Sequence, residues 1–184
     1  MEIRYKEYKI KQKDINQIEK FVQARLEDTK LYEKRGGFKE EDLWVGALSE
    51  FAIYYYLREK DRKVSKPDLT IHSVEEKSYG ADLIDETNRY HVKGQSLTSQ
   101  KRYGHSWLLQ RYDKIVKNPL KNHIIVPCSA DVDNRTVKIF GTIAVSSIHR
   151  TDSWGECKYY LFQKTKVALY LDQLYNNIKN LWRV

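Results

Sequence analysis

The sequence predicts a domain of the mixed α/β or α+β class, with a mixed sheet and flanking helices. Two observations lead to this prediction. Apolar residues recur at helical spacing over residues 14–35 and again over 40–58, and short extended segments follow from about residue 70. Helices that precede a run of strands, with further mixed elements after them, are typical of this class. At 184 residues, the chain is long enough for one domain with a proper core.

The two predicted helices each have a recognisable beginning. Asp14 starts the first helix in a pattern that resembles a capping box, and the helical spacing of this segment ends near the stop signal Gly36-Gly37, which predicts a helix over 14–35. Acidic residues at 40–42 favour the positive end of the dipole of the second helix, which we expect to run to Leu57 or Arg58.

Five later segments have the composition of β-strands: 69–71, 81–84, 89–93, 124–128 and 136–141. The polar turn 85–88 joins the second and third of them as a hairpin. The near-continuous apolar run 124–128 predicts a strand that is buried on both faces, whereas 136–141 alternates, as a strand with one wet face does. A closing helix is expected over 171–182, where it would cover the core or form a dimer contact.

The charge balance predicts a polyanionic partner. Lys and Arg number 33 and Asp and Glu number 25, so the formal net charge is +8. A basic surface mixed with aromatic residues suits nucleic acid. The N-terminus has no apolar signal-peptide segment, and no run approaches the ~18 apolar residues of a membrane span. Cys128 and Cys157 lack metal-ligand spacing. We therefore expect a cytoplasmic protein with reduced thiols and no membrane partner.

Glu50 lies in the middle of the second predicted helix, whose residues 43–57 are almost all apolar. A helix that is apolar all round is largely buried, and a buried carboxylate is costly unless it is paired, hydrogen-bonded or bound to a cation. Gly46, one turn earlier, would let another backbone or a ligand approach closely. The alternative is that Glu50 and Ser49 share the one exposed stripe of this helix.

The predicted hairpin places polar side chains together on one face. If 85–88 is the turn, Asp82 lies opposite His91, and strand alternation puts Lys93 on the same face, with Gln95 continuing the polar row. Carboxylate oxygens suit Mg²⁺, and an adjacent ammonium can position a water or offset charge on a phosphate. The alternative is a solvated strand face with an ordinary Asp–Lys pair. The other face carries apolar side chains that point to the core: Leu83, Tyr90 and Val92.

A glutamate in a buried helix, an aspartate on a strand and a lysine on its antiparallel partner follow one another in the order seen in the PD-(D/E)xK nuclease superfamily, which includes many restriction endonucleases. The segments that carry this resemblance are GALSE at 46–50, GADL at 80–83 and YHVKGQ at 90–95. The resemblance covers about 40–145 and implies a restriction-endonuclease-like αβββαβ core. The chain, 1–184, would then be a single nuclease-like domain with a C-terminal extension, 146–184.

The resemblance also implies roles for individual residues. Asp82 would be the principal Mg²⁺ ligand, Glu50 would bind the metal directly or through water, and the carbonyl group of Val92 would be a further ligand. Lys93 would orient or help to deprotonate the attacking water and stabilise the transition state. Gln95 resembles the polar residues that flank such sites.

His91 departs from the family pattern, which usually has Glu or Asp two residues before the lysine. Imidazole is a softer ligand than a carboxylate and favours Mn²⁺ over Mg²⁺. Three interpretations stay open: His91 ligates metal, acts as a base, or marks a weakened site. Asp68, in the literal Pro67-Asp68, is the alternative to Asp82, which we prefer because the hairpin places it beside Lys93.

The segment that follows Gln95 is polar, basic and aromatic, as loops that contact phosphates and stack on bases are. Gln110 and Arg111 come after it, in a segment that we expect to be helical. The alternative for the segment that follows Gln95 is a mobile surface loop. The nucleic-acid-binding residues predicted here are Lys101, Arg102, Tyr103, His105, Trp107 and Arg111. We interpret His72, His123 and His149 as structural or exposed, and the basic run of Lys114, Lys117 and Lys121 as a solvated face.

These features predict a metal-dependent endonuclease that hydrolyses DNA with Mg²⁺, or with Mn²⁺, and that is restriction-like or phage-encoded. A homodimer is expected, because cleavage of both strands often uses a two-fold dimer. The alternatives are a nucleic-acid-binding module that has lost cleavage, to which His91 points, and an RNA nuclease on the same scaffold. A purely structural or protein-binding role is the remaining hypothesis.

Overall fold

A mixed sheet with flanking helices forms the centre of the protein. The computed structural model describes residues 3–30, 40–71 and 80–177. Within these ranges the helices are α1 Gln12–Lys30, α2 Glu40–Glu59, α3 Leu97–Tyr103, α4 Lys114–Lys117, α5 Val145–Arg150 and α6 Leu171–Asn177. The strands are β1 Lys6–Lys9, β2 Leu83–Ile84, β3 Arg89–Ser96, β4 Ser106–Gln110, β5 His123–Asp131, β6 Thr136–Ile139, β7 Ile143–Ala144, β8 Gly155–Glu156 and β9 Lys166–Tyr170.

The central sheet has the order β1-β6-β5-β3-β2, and β7 also pairs with β5. The β3–β5 pair is parallel, with Lys93 opposite Pro127, whereas the other pairs are antiparallel. A smaller antiparallel sheet has the order β4-β9-β8. The short strand β2 therefore lies at an edge of the central sheet, next to β3.

Two apolar layers cover the two faces of the central sheet. On one face α1 and α2 pack against alternate strand residues, including Tyr90, Val92 and Cys128. On the other face Ile125 belongs to a second core with Trp107, β9 and α6. This alternation along β3 and β5 separates a face that points to α2 from a face that carries His91, Lys93 and Gln95. The predicted class, a mixed α/β fold with a mixed sheet and flanking helices, is confirmed.

Several predicted elements agree with the structure. The second helix spans Glu40–Glu59 and is largely buried, and β5 is buried on both faces around Ile125 and Val126. Strand β6 alternates between buried and half-buried residues. Helix α6 begins at Leu171, as expected, and the predicted residues 178–182 lie outside the described part of the chain.

Other predictions were wrong. Residues 69–71 form no strand, and the predicted strand 81–84 is reduced to Leu83–Ile84. The segment that contains Gln110 is strand β4, not a helix, because it pairs with β9. Helix α1 begins at Gln12, so Asp14 lies inside its first turn and is not its cap. The predicted end of this helix, residues 31–35, and the stop signal Gly36-Gly37 lie outside the described residues.

Two smaller findings concern the predictions about cysteines and membranes. Cys128 and Cys157 are both free thiols and both are buried. Among the helices of the described residues, none is both long and apolar enough to cross a bilayer.

Candidate active site at the edge of β3

The hairpin that carries the candidate site has the predicted register. Leu83 pairs with Tyr90 and Ile84 with Arg89. The turn closes where the amide of Asp85 donates to the carbonyl of Asn88 at 3.1 Å. Asp85 also accepts hydrogen bonds from the amides of Thr87 and Asn88, and this satisfied carboxylate stabilises the turn. Leu83, Tyr90 and Val92 all point into the core, as the alternation predicts.

Asp82 lies beside the edge of β3 at the point where β2 begins. Its amide donates to the carbonyl of Tyr90 at 2.9 Å, and its Oδ2 accepts from the amide of Val92 at 2.7 Å. The N–H and C=O of one strand residue point to the same side, so the carbonyl of Val92 also faces this edge. A carboxylate and a backbone carbonyl oxygen are thus brought to one place.

Helix α2 approaches β3 closely because residue 94 is a glycine. A Cβ atom at Gly94 would lie 2.6 Å from Oγ of Ser49 and 2.7 Å from Cγ1 of Val45, which no ordinary side chain would tolerate. The glycine that permits close approach is therefore Gly94, and not Gly46, around which there is open space. This packing brings Glu50, the next residue after Ser49, to the same strand.

The charges of Glu50, Asp82 and Lys93 act on one another. The pKa of Glu50 is raised to about 8, mainly by burial and in addition by the negative charge of Asp82, while Lys93 opposes both effects. Asp68 also raises the pKa of Glu50. Glu50 itself is half-buried rather than on an exposed stripe of the helix. These electrostatic effects place three groups that are distant in the sequence near one another beside β3, with Asp68 near them.

Asp82 has a raised pKa although part of the residue is exposed to solvent. Protein packed around the carboxyl group removes water and is the main cause; Lys93 and the amide of Val92 oppose it, and the charge of Asp113 adds to it. A carboxylate that is reachable from solvent but poorly hydrated by it has the properties of a cation ligand.

His91 is 5% exposed and pairs with His123 across β3 and β5. Its Nε2 lies 2.8 Å from Nδ1 of His123, and the two rings stack at 5.1 Å. Burial lowers the pKa of His91 to about 4, helped by Lys93 and His123, so the ring is neutral at neutral pH. Because Nε2 is engaged with His123, the predicted role of His91 as a metal ligand gains no support from the geometry.

Gln95 shares the face of Lys93, as predicted, but both ends of its amide have structural partners. Nε2 donates to the carbonyl of Gly104 at 2.8 Å, and Oε1 accepts from the amide of Ser106 at 3.2 Å. Gln95 therefore fastens the end of β3 to the turn before β4. The predicted catalytic role of Gln95 stays a prediction.

Three of the predicted nucleic-acid-binding residues are engaged elsewhere. Trp107 is 1% exposed, and its Nε1 donates to the carbonyl of Cys128 at 2.7 Å, so it cannot stack on a base. Arg111 donates to the carbonyl of Gln163 at 2.8 Å, which ties the end of β4 to the loop before β9. The ring of His105 packs edge-on against Phe140 at 4.8 Å.

The other three predicted contact residues lie on α3. Lys101 and Arg102 are exposed, and the guanidinium of Arg102 lies 5.2 Å from the ring of the half-buried Tyr103. These side chains are accessible to a ligand. That they contact nucleic acid stays a prediction.

Two residues near the site were not predicted from any local pattern. Asp113 caps α4 and accepts from the amide of Ile115 at 3.1 Å, and its charge acts on Asp82, His91 and His123. His123, predicted to be structural or exposed, reaches the site through the parallel pairing of β3 with β5, which no local pattern in the sequence encodes.

The donor set at the edge of β3 consists of oxygens. In the described part of the chain, no cluster of three or more His, Cys, Asp or Glu side chains could hold one metal ion. The two carboxylates of Glu50 and Asp82 and the carbonyl of Val92 nevertheless fit the way proteins bind Mg²⁺, which usually keeps several waters beside one or two carboxylates. Comparison with protein-family models, curated proteins and solved structures finds no match to this chain.

Proposed function

We propose that this protein is a metal-dependent endonuclease that hydrolyses the phosphodiester bonds of DNA. The observation that carries this proposal is the convergence of Glu50, Asp82 and Lys93 at the edge of β3. The negative charge of Asp82 raises the pKa of Glu50, and the ammonium of Lys93 acts in the opposite direction on the pKa of both carboxyl groups. A cluster of ionisable groups with perturbed pKa values, in a position accessible from solvent, is typical of a catalytic site.

The order of the elements supports a restriction-endonuclease-like core. Helix α2 supplies Glu50, the β2–β3 hairpin supplies Asp82 and Lys93, and a crossover leads to the parallel strand β5. The first strand of an αβββαβ core has no counterpart in the described residues, since 69–71 has no regular structure. The proposal is therefore a variant of this core with a shortened edge.

Glu50, Asp82 and the carbonyl of Val92 would hold the metal, with Mg²⁺ or Mn²⁺ as the candidates. A bound divalent ion would lower the pKa of a water and polarise the scissile phosphate. Lys93, next to both carboxylates, would orient the attacking water through its ammonium protons and offset charge that develops on the phosphate oxygens. Its side chain is half-buried, so part of it stays accessible to a phosphate.

Plasmid cleavage tests the proposal. We expect wild-type protein to nick or linearise supercoiled DNA with Mg²⁺ or Mn²⁺, and Asp82→Asn and Lys93→Met each to lower the rate by at least about 100-fold. Lys138→Met is the matched control, because Lys138 is also a half-buried strand lysine, in β6, away from this edge. Asp133→Asn, in the β5–β6 turn, is the exposed carboxylate control. Activity that survives both site substitutions would overturn the proposal.

A binding module without cleavage is the second candidate, and His91 favours it. The position that usually supplies an acid instead holds a neutral ring that is hydrogen-bonded to His123. Salt-sensitive DNA binding by wild-type protein, with no cleavage in either metal, would establish this candidate in place of the first. Parallel assays on RNA of matched sequence would decide the substrate.

The homodimer stays a prediction. Leu171 and Leu174 of α6 are buried in the protein's own core, so the described part of this helix covers the core. Light scattering at several concentrations would test the dimer. Its one support is the argument that cleavage of both DNA strands often uses a two-fold dimer.

A further inference from the structure

A basic cleft lies between β1, α1 and α2, and the proposed function does not use it. Its volume is about 530 Å³. Five of the residues that line it are cationic: Lys9, Lys11, Lys13, Arg58 and Lys66. The rest of the wall is formed mainly by tyrosines, so the cleft combines positive charge with aromatic surface.

The two acidic residues that line the cleft are already neutralised. Asp14 accepts from Nζ of Lys66 at 2.8 Å and from the hydroxyl of Tyr55. Glu59 accepts from Nζ of Lys6 at 2.5 Å, and Lys6 is not part of the cleft wall.

Three cations of the wall, Lys11, Lys13 and Arg58, have no carboxylate partner among residues 3–30, 40–71 and 80–177. All three are exposed, and Nζ of Lys11 lies 5.2 Å from the ring of Tyr55, which places it over the cleft. The cleft thus has a surplus of positive charge.

The cleft is lined by residues of α2 that follow Glu50 of the candidate active site along the helix. Glu50, Tyr54 and Arg58 follow one another at intervals of four residues, so they lie on one side of the helix. Eight residues of helix correspond to about 12 Å along its axis. Lys66, which also lines the cleft, is two residues from Asp68, whose charge acts on Glu50. A ligand that extends from Glu50 along α2 would enter this cleft.

We infer that the cleft binds backbone phosphates of the nucleic-acid strand on one side of the bond that is cleaved. This inference rests on the proposed function. A separation of about 12 Å corresponds to three or four steps of about 3.4 Å along one strand of B-form DNA. Lysine and arginine contacts to phosphates fix the register of the strand without reading its sequence. Lys11, Lys13 and Arg58 would supply these contacts.

Binding without cleavage tests the inference. Fluorescence anisotropy with a labelled DNA duplex of mixed sequence, in EDTA, compares wild-type protein with the triple variant Lys11→Gln, Lys13→Gln, Arg58→Gln. We expect at least a tenfold loss of affinity at about 100 mM salt and a shallower slope of log affinity against log salt, by about 2 to 3. The control triple Lys20→Gln, Arg150→Gln, Lys164→Gln changes the same charge at exposed residues outside the cleft and should lower affinity less than about threefold.

The outcomes separate this inference from the proposed function. If the cleft triple, shown to be folded by its thermal melt, binds like the control triple, the inference is overturned even when wild-type protein cuts DNA. If the cleft triple loses binding while wild-type protein does not cut, the cleft still binds backbone phosphates and the endonuclease proposal fails. Competition by inorganic pyrophosphate at the same concentration as the duplex would identify a small-anion site and would also overturn the inference.

Discussion

Two carboxylates in the α1–α2 layer have opposite environments. Asp14 is 1% exposed, and it accepts hydrogen bonds from the hydroxyl of Tyr55 at 2.5 Å and from Nζ of Lys66 at 2.8 Å. Burial alone would raise the pKa of Asp14, but these two donors outweigh it, and the pKa is lowered. Glu50 has no hydrogen-bond or ion-pair partner in the described part of the chain, and its pKa rises to about 8.

The difference distinguishes a structural carboxylate from a candidate functional one. Where a buried acid only holds elements together, the fold supplies donors that stabilise its charged form. At Glu50 the fold instead adds a second acid, Asp82, and leaves the carboxylate poorly hydrated. A buried acid without such donors destabilises the folded protein, and residues of this kind are expected mainly at functional sites.

The largest effect is expected from Asp14→Ala. This substitution leaves Lys66 and the hydroxyl of Tyr55 without their shared acceptor and opens space in the layer between α1 and α2. The free energy of unfolding at pH 7 should fall by about 2–4 kcal/mol, below the full value of a buried pair because Lys66 is partly exposed. Urea denaturation measures this change. An unchanged denaturation midpoint would show that Asp14 is not a structural anchor.

Glu50→Gln should raise the free energy of unfolding above neutral pH, whereas Asp14→Ala lowers it. The folded state holds a proton on Glu50 up to about pH 8, whereas the unfolded chain releases it near 4.5, so the stability of wild-type protein falls as the pH rises through this window. The variant lacks that fall and should be more stable by about 1–2 kcal/mol at pH 8.

The window from pH 6.5 to 8 isolates this effect of Glu50. His91 has a lowered pKa, about 4 instead of 6.5, and therefore makes stability rise with pH only below 6.5. Urea denaturation of both proteins at several pH values within the window gives the comparison. Parallel curves for wild-type and Glu50→Gln protein would contradict the raised pKa.

The smallest effect is expected from Tyr55→Phe. The substitution removes one of the two donors to Asp14 but leaves Lys66 in place. We expect a loss of about 1 kcal/mol. The acid transition should also shift to higher pH, because the pKa of Asp14 moves back toward its ordinary value. Denaturation at pH 7 and pH 3 measures both changes, and Tyr54→Phe, on the same turn of α2, is the control.

The elements that the sequence predicted correctly are those with a strong local pattern. Three such elements are the apolar helix around Glu50, the apolar run of β5 and the hairpin turn at Asp85. They could be predicted because the period of apolar residues and the residue types of a turn are local features of the sequence. Residues 69–71 form a segment too short for a local pattern to predict its structure. Asp14 resembled a helix cap, and its true partners, Tyr55 and Lys66, are more than 40 residues away.

The candidate site was predictable in part for the same reason. The hairpin register fixes Asp82 relative to Lys93, and alternation fixes the face of Lys93. By contrast, the pairing of His91 with His123 depends on the parallel β3–β5 register. The burial of Trp107 likewise depends on the packing of the second sheet on the first.

Calorimetric titration with Mg²⁺ at pH 8 tests the central claim most directly, which is that Glu50 and Asp82 share one cation. For wild-type protein we predict binding of one ion per chain, which either Glu50→Gln or Asp82→Asn abolishes. The control Asp133→Asn, an exposed carboxylate in the β5–β6 turn, should bind as wild-type protein does. Binding that persists in both site variants, or wild-type protein that binds no ion at millimolar Mg²⁺ or Mn²⁺, would contradict the account.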